Sequence, residues 1–343
     1  MERRHRHHQP LNPDSHHVKL YYTITILSLS LLLNGCNEAD EISGDDVPGY
    51  SPVVVSVDNV TSFTRGYIPQ GMYDNFKVYA VSEAGGSQTV VMPGYEVNFV
   101  ADDWSYVNDT QHLVYWSPNA DSYLFTAGAP VDAVTAISAT SMTLSLENNT
   151  TGSTMASEPL RIANGSASFG KTVNLRFGYA HCRVCVAFIK ESVEDVTLTD
   201  IKLTPDAAIA SKATLTYSYD WSTDITTVTS QVSIEEKSTD AFSFADVTIP
   251  ANTTDGVISE TRHYCVPDAA NQKGWQVSLT CNGETLSAPF ANSKTWQSGK
   301  NYIYVFSLSE KHPKLVQVVS QDMYFDCNDI VSGGEFSNKD MTE

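Results

Sequence analysis

The stretch A-T-L-T-Y-S-Y, residues 213–219, has the clearest periodicity for predicting the fold class of this chain. Every second residue is apolar or aromatic, and a hydroxyl-bearing residue stands between each pair. Successive side chains of a β-strand point to opposite faces of the sheet. The stretch therefore predicts a strand with one buried and one solvated face. A second stretch, Y-I-Y-V-F-S-L at 302–308, has apolar residues on both faces.

Similar stretches recur along the chain as runs of Val, Ile, Tyr, Phe and Thr, separated by Gly, Asn, Asp and Pro. No segment carries a long apolar stripe of helical period with caps, so any helix is expected to be short. The pattern predicts an all-β chain of antiparallel β-sandwiches. The predicted strands are 52–57, 75–81, 113–116, 123–127, 140–146, 172–177, 183–189, 197–203, 213–219, 246–249, 260–266, 275–281 and 301–308.

The spacing of small and polar residues predicts the division of the chain. The stretch N-G-S-A-S-F-G at 164–170 ends one strand-rich block and opens another, and the chain is long enough for two domains. We expect a leader, an acidic tether, two β-sandwich domains and a polar tail: 1–35, 36–50, 51–168, 169–325 and 326–343.

The first 36 residues have the features of an export signal. A basic leader ends at Lys19, and sixteen uncharged residues follow, from Leu20 to Gly35. Sixteen residues are fewer than the roughly 20 that a membrane-spanning helix needs. The stretch L-N-G-C at 33–36 resembles a bacterial lipobox, in which the cysteine is acylated and becomes the first mature residue. Cys36 is therefore the predicted lipidation site, and the alternative is an ordinary signal or anchor helix with an incidental cysteine.

An acidic cluster follows Cys36 directly, formed by Glu38, Asp40, Glu41, Asp45 and Asp46. It resembles the acidic export tag that carries lipoproteins of Bacteroidetes to the outer face of the outer membrane. A lipid chain with a solvated tether is a physically reasonable anchor. We therefore expect a surface-exposed protein held to the outer membrane through lipid on Cys36.

The net charge of the chain indicates which kinds of partner it is expected to bind. The whole chain carries a formal net charge of −19, and without residues 1–35 it holds 17 Lys+Arg against 38 Asp+Glu, a net charge near −21. Nucleic-acid and anionic-lipid surfaces are bound by clustered Lys and Arg. We therefore expect no nucleic-acid partner. An acidic surface suits an extracellular module that must stay soluble.

The cysteines do not form an obvious disulfide framework. With Cys36 lipidated, an odd number is left, so not all can pair. Cys182 and Cys185 have C-x-x-C spacing, but on a strand this spacing puts the two sulfurs on opposite faces, which prevents a shared metal. We expect buried, inert thiols, with a Cys265–Cys281 bridge across neighbouring strands left open. The sequence does not settle the pairing of Cys182, Cys185, Cys265, Cys281 and Cys327.

Catalytic and metal-binding motifs are missing from the sequence. It contains no G-x-S-x-G and no H-E-x-x-H, and the histidines after Cys36 are scattered. We therefore expect no enzyme activity, no cofactor and no metal. Four tryptophans are able in principle to stack on sugar rings, but most aromatics of a β-sandwich lie in its core. They are Trp104, Trp116, Trp221 and Trp275.

Several phrases together resemble the fimbrillin family of Bacteroidetes, the subunits and anchors of type V pili. The N-terminal half supplies V-V-V-S-V-D-N-V-T-S-F-T-R-G (53–66), D-N-F-K-V-Y-A-V (74–81), W-S-Y-V-N-D (104–109) and V-Y-W-S-P-N-A-D-S-Y-L-F-T-A-G-A-P (114–130). The C-terminal half supplies V-N-L-R-F-G-Y-A-H-C-R-V-C-V-A-F (173–188) and W-Q-S-G-K-N-Y-I-Y-V-F-S-L (296–308). One departure is A-G-A-P at 127–130, where the family more often has Ala-Tyr-x-Pro.

The resemblance implies two transthyretin-like β-sandwich domains in an exported lipoprotein. It implies a structural or adhesive pilus component, as shaft, tip or anchor subunit. In polymerising members a protease cuts after an arginine and releases the lipid and the first strand, and a strand from the next subunit fills the groove by β-augmentation. The alternative is a non-polymerising surface lipoprotein that binds glycan or peptide.

Transferred to this chain, the resemblance makes Arg65 the candidate cleavage site, unless it is an ordinary loop arginine. The released strand would carry Val53, Val55 and Val57. The donor would be K-L-V-Q-V-V-S-Q-D-M-Y-F at 314–325, unless this is an ordinary final strand of its own domain; its candidate residues are Leu315, Val316 and Val318. The implied partners are other fimbrillin subunits, the outer membrane, and a host or bacterial surface ligand.

Overall fold

The computed structural model describes the chain in eight ranges: 51–57, 74–100, 103–190, 192–223, 226–253, 256–268, 273–308 and 312–323. The predicted leader and acidic tether, Cys36, Arg65, Cys327 and the polar tail lie outside these residues. All described residues belong to one unit of the chain, Tyr50–Glu343.

The described chain is almost entirely β-strand, with one 3-10 helix at Val131–Ala133. The first twelve strands are β1 (Val55–Val57), β2 (Asn75–Ala84), β3 (Ser87–Val100), β4 (Asp103–Ser105), β5 (Ser122–Ala129), β6 (Val134–Ile137), β7 (Ser141–Glu147), β8 (Met155–Ser157), β9 (Leu160–Ala163), β10 (Val173–Leu175), β11 (Phe177–Tyr179) and β12 (Cys182–Ile189).

The remaining strands are β13 (Val196–Pro205), β14 (Ile209–Asp220), β15 (Thr227–Ser238), β16 (Phe242–Phe244), β17 (Val247–Ile249), β18 (Val257–Ile258), β19 (His263–Cys265), β20 (Gly274–Cys281), β21 (Glu284–Ala291), β22 (Lys300–Leu308) and β23 (Pro313–Asp322).

These strands form one pair and four larger sheets, which we name by a strand of each. The β5 sheet has the order β11-β8-β5-β2-β3-β4, with β9 beside β5, and the β14 sheet has the order β15-β14-β7-β6. The β12 sheet has the order β18-β12-β22-β23, with β19 beside β12, and the β13 sheet has the order β16-β13-β20-β21, with β17 beside β13. Among the described strands, β1–β10 and β12–β22 pair in parallel and the other pairs are antiparallel.

The two stretches that predicted the fold class behave as their patterns require. In β14, Ala213 and Leu215 are buried, and Thr214 between them is half-buried. In β22, the residues from Asn301 to Phe306 are all buried, so both faces of this strand are covered. The prediction of an all-β chain built from antiparallel sheets is confirmed.

The hydrophobic core divides into clusters between the sheets. The largest joins residues of the β12 and β13 sheets, Phe188 and Trp275 among them. A second joins the β5 sheet with β1 and β10, and a third surrounds the β14 sheet. The opposite face of β12 is also buried, in a smaller cluster that contains Cys185. The β12 sheet is therefore covered on both faces at its centre.

Three strand pairs cross the domain boundary predicted at residue 168. They are β1 with β10, β8 with β11, and β7 with β14. His181 adds a further link, because its Nδ1 accepts a hydrogen bond from the Thr154 backbone N–H (3.0 Å) and its Nε2 faces the Glu147 carbonyl oxygen (3.2 Å). Burial lowers the pKa of His181 to about 4, so the ring is neutral at pH 7. The boundary itself stays a prediction.

Gly128 explains the departure of A-G-A-P from the family pattern. It lies in β5, every residue of which is buried. A Cβ atom at this position would lie 2.7 Å from Val134 Cγ2, 2.8 Å from Met142 Sδ and 3.0 Å from Leu144 Cδ2. These side chains of the β14 sheet and its cluster occupy the space that a tyrosine ring would need.

We predict that Gly128→Ala lowers the free energy of unfolding by about 1–3 kcal/mol, because the added methyl group overpacks this contact. Urea denaturation of the purified variant measures the loss. Gly178→Ala is the matched control, since the nearest atom to a Cβ there is 4.0 Å away. A Gly128→Ala protein as stable as Gly178→Ala would contradict the packing.

Candidate functional site

The first described segment, residues 51–57, is buried on one side and exposed on the other. Val53 and Val55 have 0% and 1% of their surface exposed, whereas Val54 between them is 38% exposed. Val57 is half-buried against the same core cluster. This alternation sends the side chains of Val53, Val55 and Val57 toward the cluster that also contains Phe76, Phe125 and Trp116.

Two different edges of backbone hold this segment. On one side, the Val53 N–H donates to the Val114 carbonyl (2.7 Å) and the Trp116 N–H donates to the Ser51 carbonyl (3.0 Å).

On the other side, β1 runs parallel to β10, from Val55 opposite Val173 to Val57 opposite Leu175. The Val173 N–H also donates to the Val54 carbonyl (2.8 Å). Residues 51–57 thus occupy a slot between 114–116 and β10, which we call the β1 slot.

Tyr106 connects the first segment to one wall of the β1 slot. Its hydroxyl donates to the Val53 carbonyl (2.7 Å) and accepts from the Val114 N–H (3.2 Å). The side chain is buried, and burial raises the pKa of Tyr106 to about 12. The hydroxyl therefore keeps its proton at neutral pH and is able to donate to the strand.

An aromatic group fixes the same wall. The Trp116 ring packs against the rings of Tyr123 and Phe169, with centroids 4.8 and 4.9 Å apart. The Tyr123 hydroxyl accepts from the Ser117 N–H (2.8 Å) and donates to the Tyr115 carbonyl (3.2 Å). Because ring packing and hydrogen bonds act on 115–117 together, this edge is preorganised to pair with a strand.

The candidate donor residues lie elsewhere. Leu315, Val316 and Val318 are half-buried in β23, an edge strand of the β12 sheet that pairs with β22 from Lys300 opposite Asp322 to Leu308 opposite Pro313. The segment therefore forms the final described strand of its own sheet, which is the alternative that the sequence left open. Donation to another subunit would require β23 to leave β22, and this role stays a prediction.

Arg65 falls in the gap between two described elements, since β1 ends at Val57 and the described chain resumes at residue 74. The structure therefore brings Val53, Val55 and Val57 together in one slot. It places neither the candidate cleavage site Arg65 nor the candidate lipidation site Cys36.

The four cysteines in the described part of the chain, Cys182, Cys185, Cys265 and Cys281, are buried as the sequence indicated. Cys182 and Cys185 lie on opposite faces of β12, in different core clusters. The premise of a Cys265–Cys281 bridge is wrong, because β19 belongs to the β12 sheet and β20 to the β13 sheet. These two residues therefore do not face each other across neighbouring strands.

The tryptophan side chains mostly lie in or against the hydrophobic core. Trp116 and Trp275 are buried, and Trp104 and Trp221 are half-buried, with the Trp104 ring 5.0 Å from that of Phe76. Within the described ranges, no group of three or more His, Cys, Asp or Glu side chains is placed to hold a metal ion. In the same part of the chain, no helix has the length and apolarity to cross a membrane.

Two parts of the site were not found from the sequence. Tyr106 lies in W-S-Y-V-N-D, a stretch whose spacing gives no sign that a hydroxyl reaches Val53. The runs at 52–57 and 172–177 were both predicted as strands, but their parallel pairing was not. Local periodicity identifies a strand and its buried face, whereas it carries no signal for which distant strand becomes the neighbour.

We predict that Tyr106→Phe lowers the free energy of unfolding by about 1–3 kcal/mol, because the buried Val53 carbonyl loses its hydroxyl partner. Urea denaturation at pH 7 measures the change. Tyr95→Phe is the matched control, since that half-buried ring lies 5.7 Å from the Tyr106 ring, and it should change stability by less than about 0.5 kcal/mol.

The pH dependence checks the same contact. A group whose pKa is raised from 10.0 to about 12 by folding stabilises the folded state fully below pH 10 and loses that effect as the pH rises toward 12. The stability difference between wild type and Tyr106→Phe should therefore narrow over this range. A constant difference, or a Tyr106→Phe protein as stable as wild type, would contradict the buried hydroxyl contact.

Comparison with known proteins agrees with the motifs. A family model described as fimbrillin-like matches residues 65–321. The chain matches no curated protein sequence.

Solved structures that resemble the chain include three fimbrial or adhesion proteins. One is a candidate cell adhesion protein from Bacteroides uniformis (13% identity, 81% of this chain and 99% of that chain covered, TM-score 0.49). The others are a fimbrial protein from Bacteroides ovatus (12%, 78% and 51%, 0.37) and the fimbrial anchor protein Mfa2 from Porphyromonas gingivalis (12%, 80% and 97%, 0.35). These likenesses are weak, and the assignment rests on the family model: the chain belongs to the fimbrillin-like family.

Proposed function

We propose that the chain is a structural or adhesive subunit of a cell-surface fimbrium, assembled by strand exchange at the β1 slot. Fimbrillin-like proteins are cell-surface fimbrial components, and this suggests a non-enzymatic role. The observation that carries the finer proposal is the seating of residues 51–57. They are hydrogen-bonded to a different edge on each side, with Val53 and Val55 buried and Val54 exposed.

The β1 slot has the chemistry of a strand acceptor. If residues 51–57 leave, the Trp116 and Val173 N–H groups and the Val114 carbonyl lose these partners, and the Tyr106 hydroxyl loses its acceptor. Unpaired backbone groups and exposed apolar surface are both costly. An incoming extended segment with apolar residues at alternate positions would satisfy both, which is the basis of β-augmentation.

Release of the first strand is proposed to follow cleavage after Arg65. This residue lies in the stretch 58–74 that separates β1 from β2 in the sequence, so a cut there would leave β1 without a covalent link to the rest of the fold. The proposed lipid on Cys36 would leave with it. A subunit that escapes cleavage would remain attached to the outer membrane, which is the anchor role.

The donor strand is proposed to come from another fimbrillin subunit. In this chain the candidate is 314–325, with Leu315, Val316 and Val318 as the residues that would enter pockets. Since β23 is an edge strand, its departure from β22 would open the β12 sheet on one side only. Because β23 pairs with β22 in this structure, the proposed donor role requires that β23 first leave β22.

The alternative is a non-polymerising surface lipoprotein, for which the described part of the chain offers a polar cleft. This cleft has a volume of about 460 Å³, within the range of roughly 300–1,000 Å³ typical of ligand sites, and lies beside β7, β14 and β15. Its lining includes Glu147, Asn148, Lys212, Glu236 and His263. Such groups are able to hydrogen-bond a glycan or a peptide backbone, with a host or bacterial surface as the source.

Limited trypsin digestion separates these functions. We predict that the purified protein is cut after Arg65, loses its N-terminal segment and then forms oligomers that persist as a ladder on denaturing gels. Arg65→Ala should stay monomeric under the same conditions. Lys202→Ala, at an exposed residue of β13, is the matched control and should polymerise like wild type.

The outcome that would contradict strand exchange is specific. A protein that is cut after Arg65 but stays monomeric, or one that is never cut there, would favour the anchor or the glycan-binding and peptide-binding alternative. Mass spectrometry of the N-terminal fragment identifies the cut and distinguishes these two results.

A further inference from the structure

We propose that Cys182 and Cys265 form a disulfide bond that fastens β19 to β12 when the chain folds in an oxidising compartment. Nothing in the fimbrial role requires this bond, so the proposal goes beyond the function. Only the oxidising compartment rests on the proposed export of the protein.

The strand register places the two cysteines directly opposite each other. Cys182 pairs with Cys265 across the antiparallel ladder of β12 and β19. Opposed residues in such a ladder have Cα atoms about 4.5–5.5 Å apart, and disulfides join Cα atoms about 4.4–6.8 Å apart. The Cα separation expected for an opposed pair therefore lies within the range that a disulfide spans.

The side chains also share one environment. Both residues are 0% exposed and both belong to the core cluster between the β12 and β13 sheets. The Cys182 thiol lies 3.4 Å from the Cys265 carbonyl oxygen, so its sulfur is next to the partner residue. A bond here would be made within the core, where solvent does not reach it.

The other described thiols lack an opposed cysteine. Cys185 points to the opposite face of β12, into the smaller cluster. Cys281 stands opposite Glu284 and Leu198 in the β13 sheet. Among the described cysteines, the register therefore selects Cys182 and Cys265 as the opposed pair.

The bond would fasten β19, a short strand that contacts two other parts of the fold. β19 has three residues, and the central one, Tyr264, exchanges two backbone hydrogen bonds with Asn149 (2.7 and 3.0 Å). Tyr264 also belongs to the core cluster that contains Val53 and Val55. A bond closing the long loop from Cys182 to Cys265 restricts the unfolded chain, and such long-loop bonds raise stability.

The chemistry is thiol–disulfide exchange with a disulfide oxidant, for which oxidised glutathione serves in the test. The thiolate of one cysteine attacks the glutathione disulfide, and one glutathione leaves as a thiolate. The second protein thiolate then attacks the protein sulfur of the mixed disulfide, and the second glutathione leaves. Two protein thiols lose two protons and two electrons, and one oxidised glutathione becomes two reduced molecules.

Burial dictates when this exchange occurs. Because both thiols are inaccessible in the folded protein, the oxidant must act before β19 docks on β12. We therefore expect the bond to form during folding and to resist reductant in the native state.

Peptide mapping of the refolded full chain tests the proposal. The protein is refolded from guanidinium with oxidised and reduced glutathione, free thiols are blocked with N-ethylmaleimide in denaturant, and the chain is digested with trypsin. All six cysteines fall in different tryptic peptides. We expect peptide 177–183 (FGYAHCR) joined to peptide 263–273 (HYCVPDAANQK), and N-ethylmaleimide on 184–190 and 274–294.

Two variants serve as controls. Cys281→Ser should keep the linked peptides and Cys265→Ser should lose them, and the urea midpoint of oxidised wild type should exceed that of the reduced protein. Blocked Cys182 and Cys265 in wild type that has regained its far-UV spectrum, or a link to another cysteine, would overturn the proposal. The assay needs neither cleavage after Arg65 nor polymerisation, so its failure is distinct from failure of the fimbrial role.

Discussion

Residues 51–57 are held by backbone hydrogen bonds on both sides, and this seat links two parts of the fold. Val53 and Val55 complete a core cluster that reaches from the β5 sheet to β10, and their backbone pairs with one edge on each side. A strand held in this way stabilises the fold while it stays and leaves a complementary slot when it goes. The same geometry suits both a folded monomer and the proposed assembly site.

The strand pairs that cross residue 168 hold the two walls of the β1 slot together. One wall of the β1 slot comes from 114–116 and the other from β10, and the pairs β8–β11 and β7–β14 join the same two parts of the chain. His181 and Tyr264 add hydrogen bonds to backbone between Glu147 and Thr154. A slot built from two parts of the chain keeps its width only if those parts are fastened to each other.

Much of the fold can be predicted from local sequence patterns. The parts that cannot be predicted lack such a pattern or depend on pairing between distant strands. Alternation identified β14 and the two-sided burial of β22, and strand spacing placed Cys182 and Cys185 on opposite faces. β15 was not predicted, because its residues are almost all exposed and show no apolar face. β3 was also missed, since Pro93 interrupts its pattern. The role of Tyr106 and the β1–β10 and β12–β19 registers depend on tertiary pairing, which residue periodicity does not encode.

The proposed strand exchange requires that the β1 slot accept a strand with alternate apolar residues. The protein is cleaved after Arg65 and freed of its first strand. The binding of a labelled peptide of residues 50–57 to this protein is then measured by fluorescence anisotropy. We expect saturable one-to-one binding that is lost when Val53 and Val55 of the peptide are both changed to Asn and kept when Val54 is changed. Equal binding of the two altered peptides, or none of the native one to a folded trimmed protein, would contradict the claim.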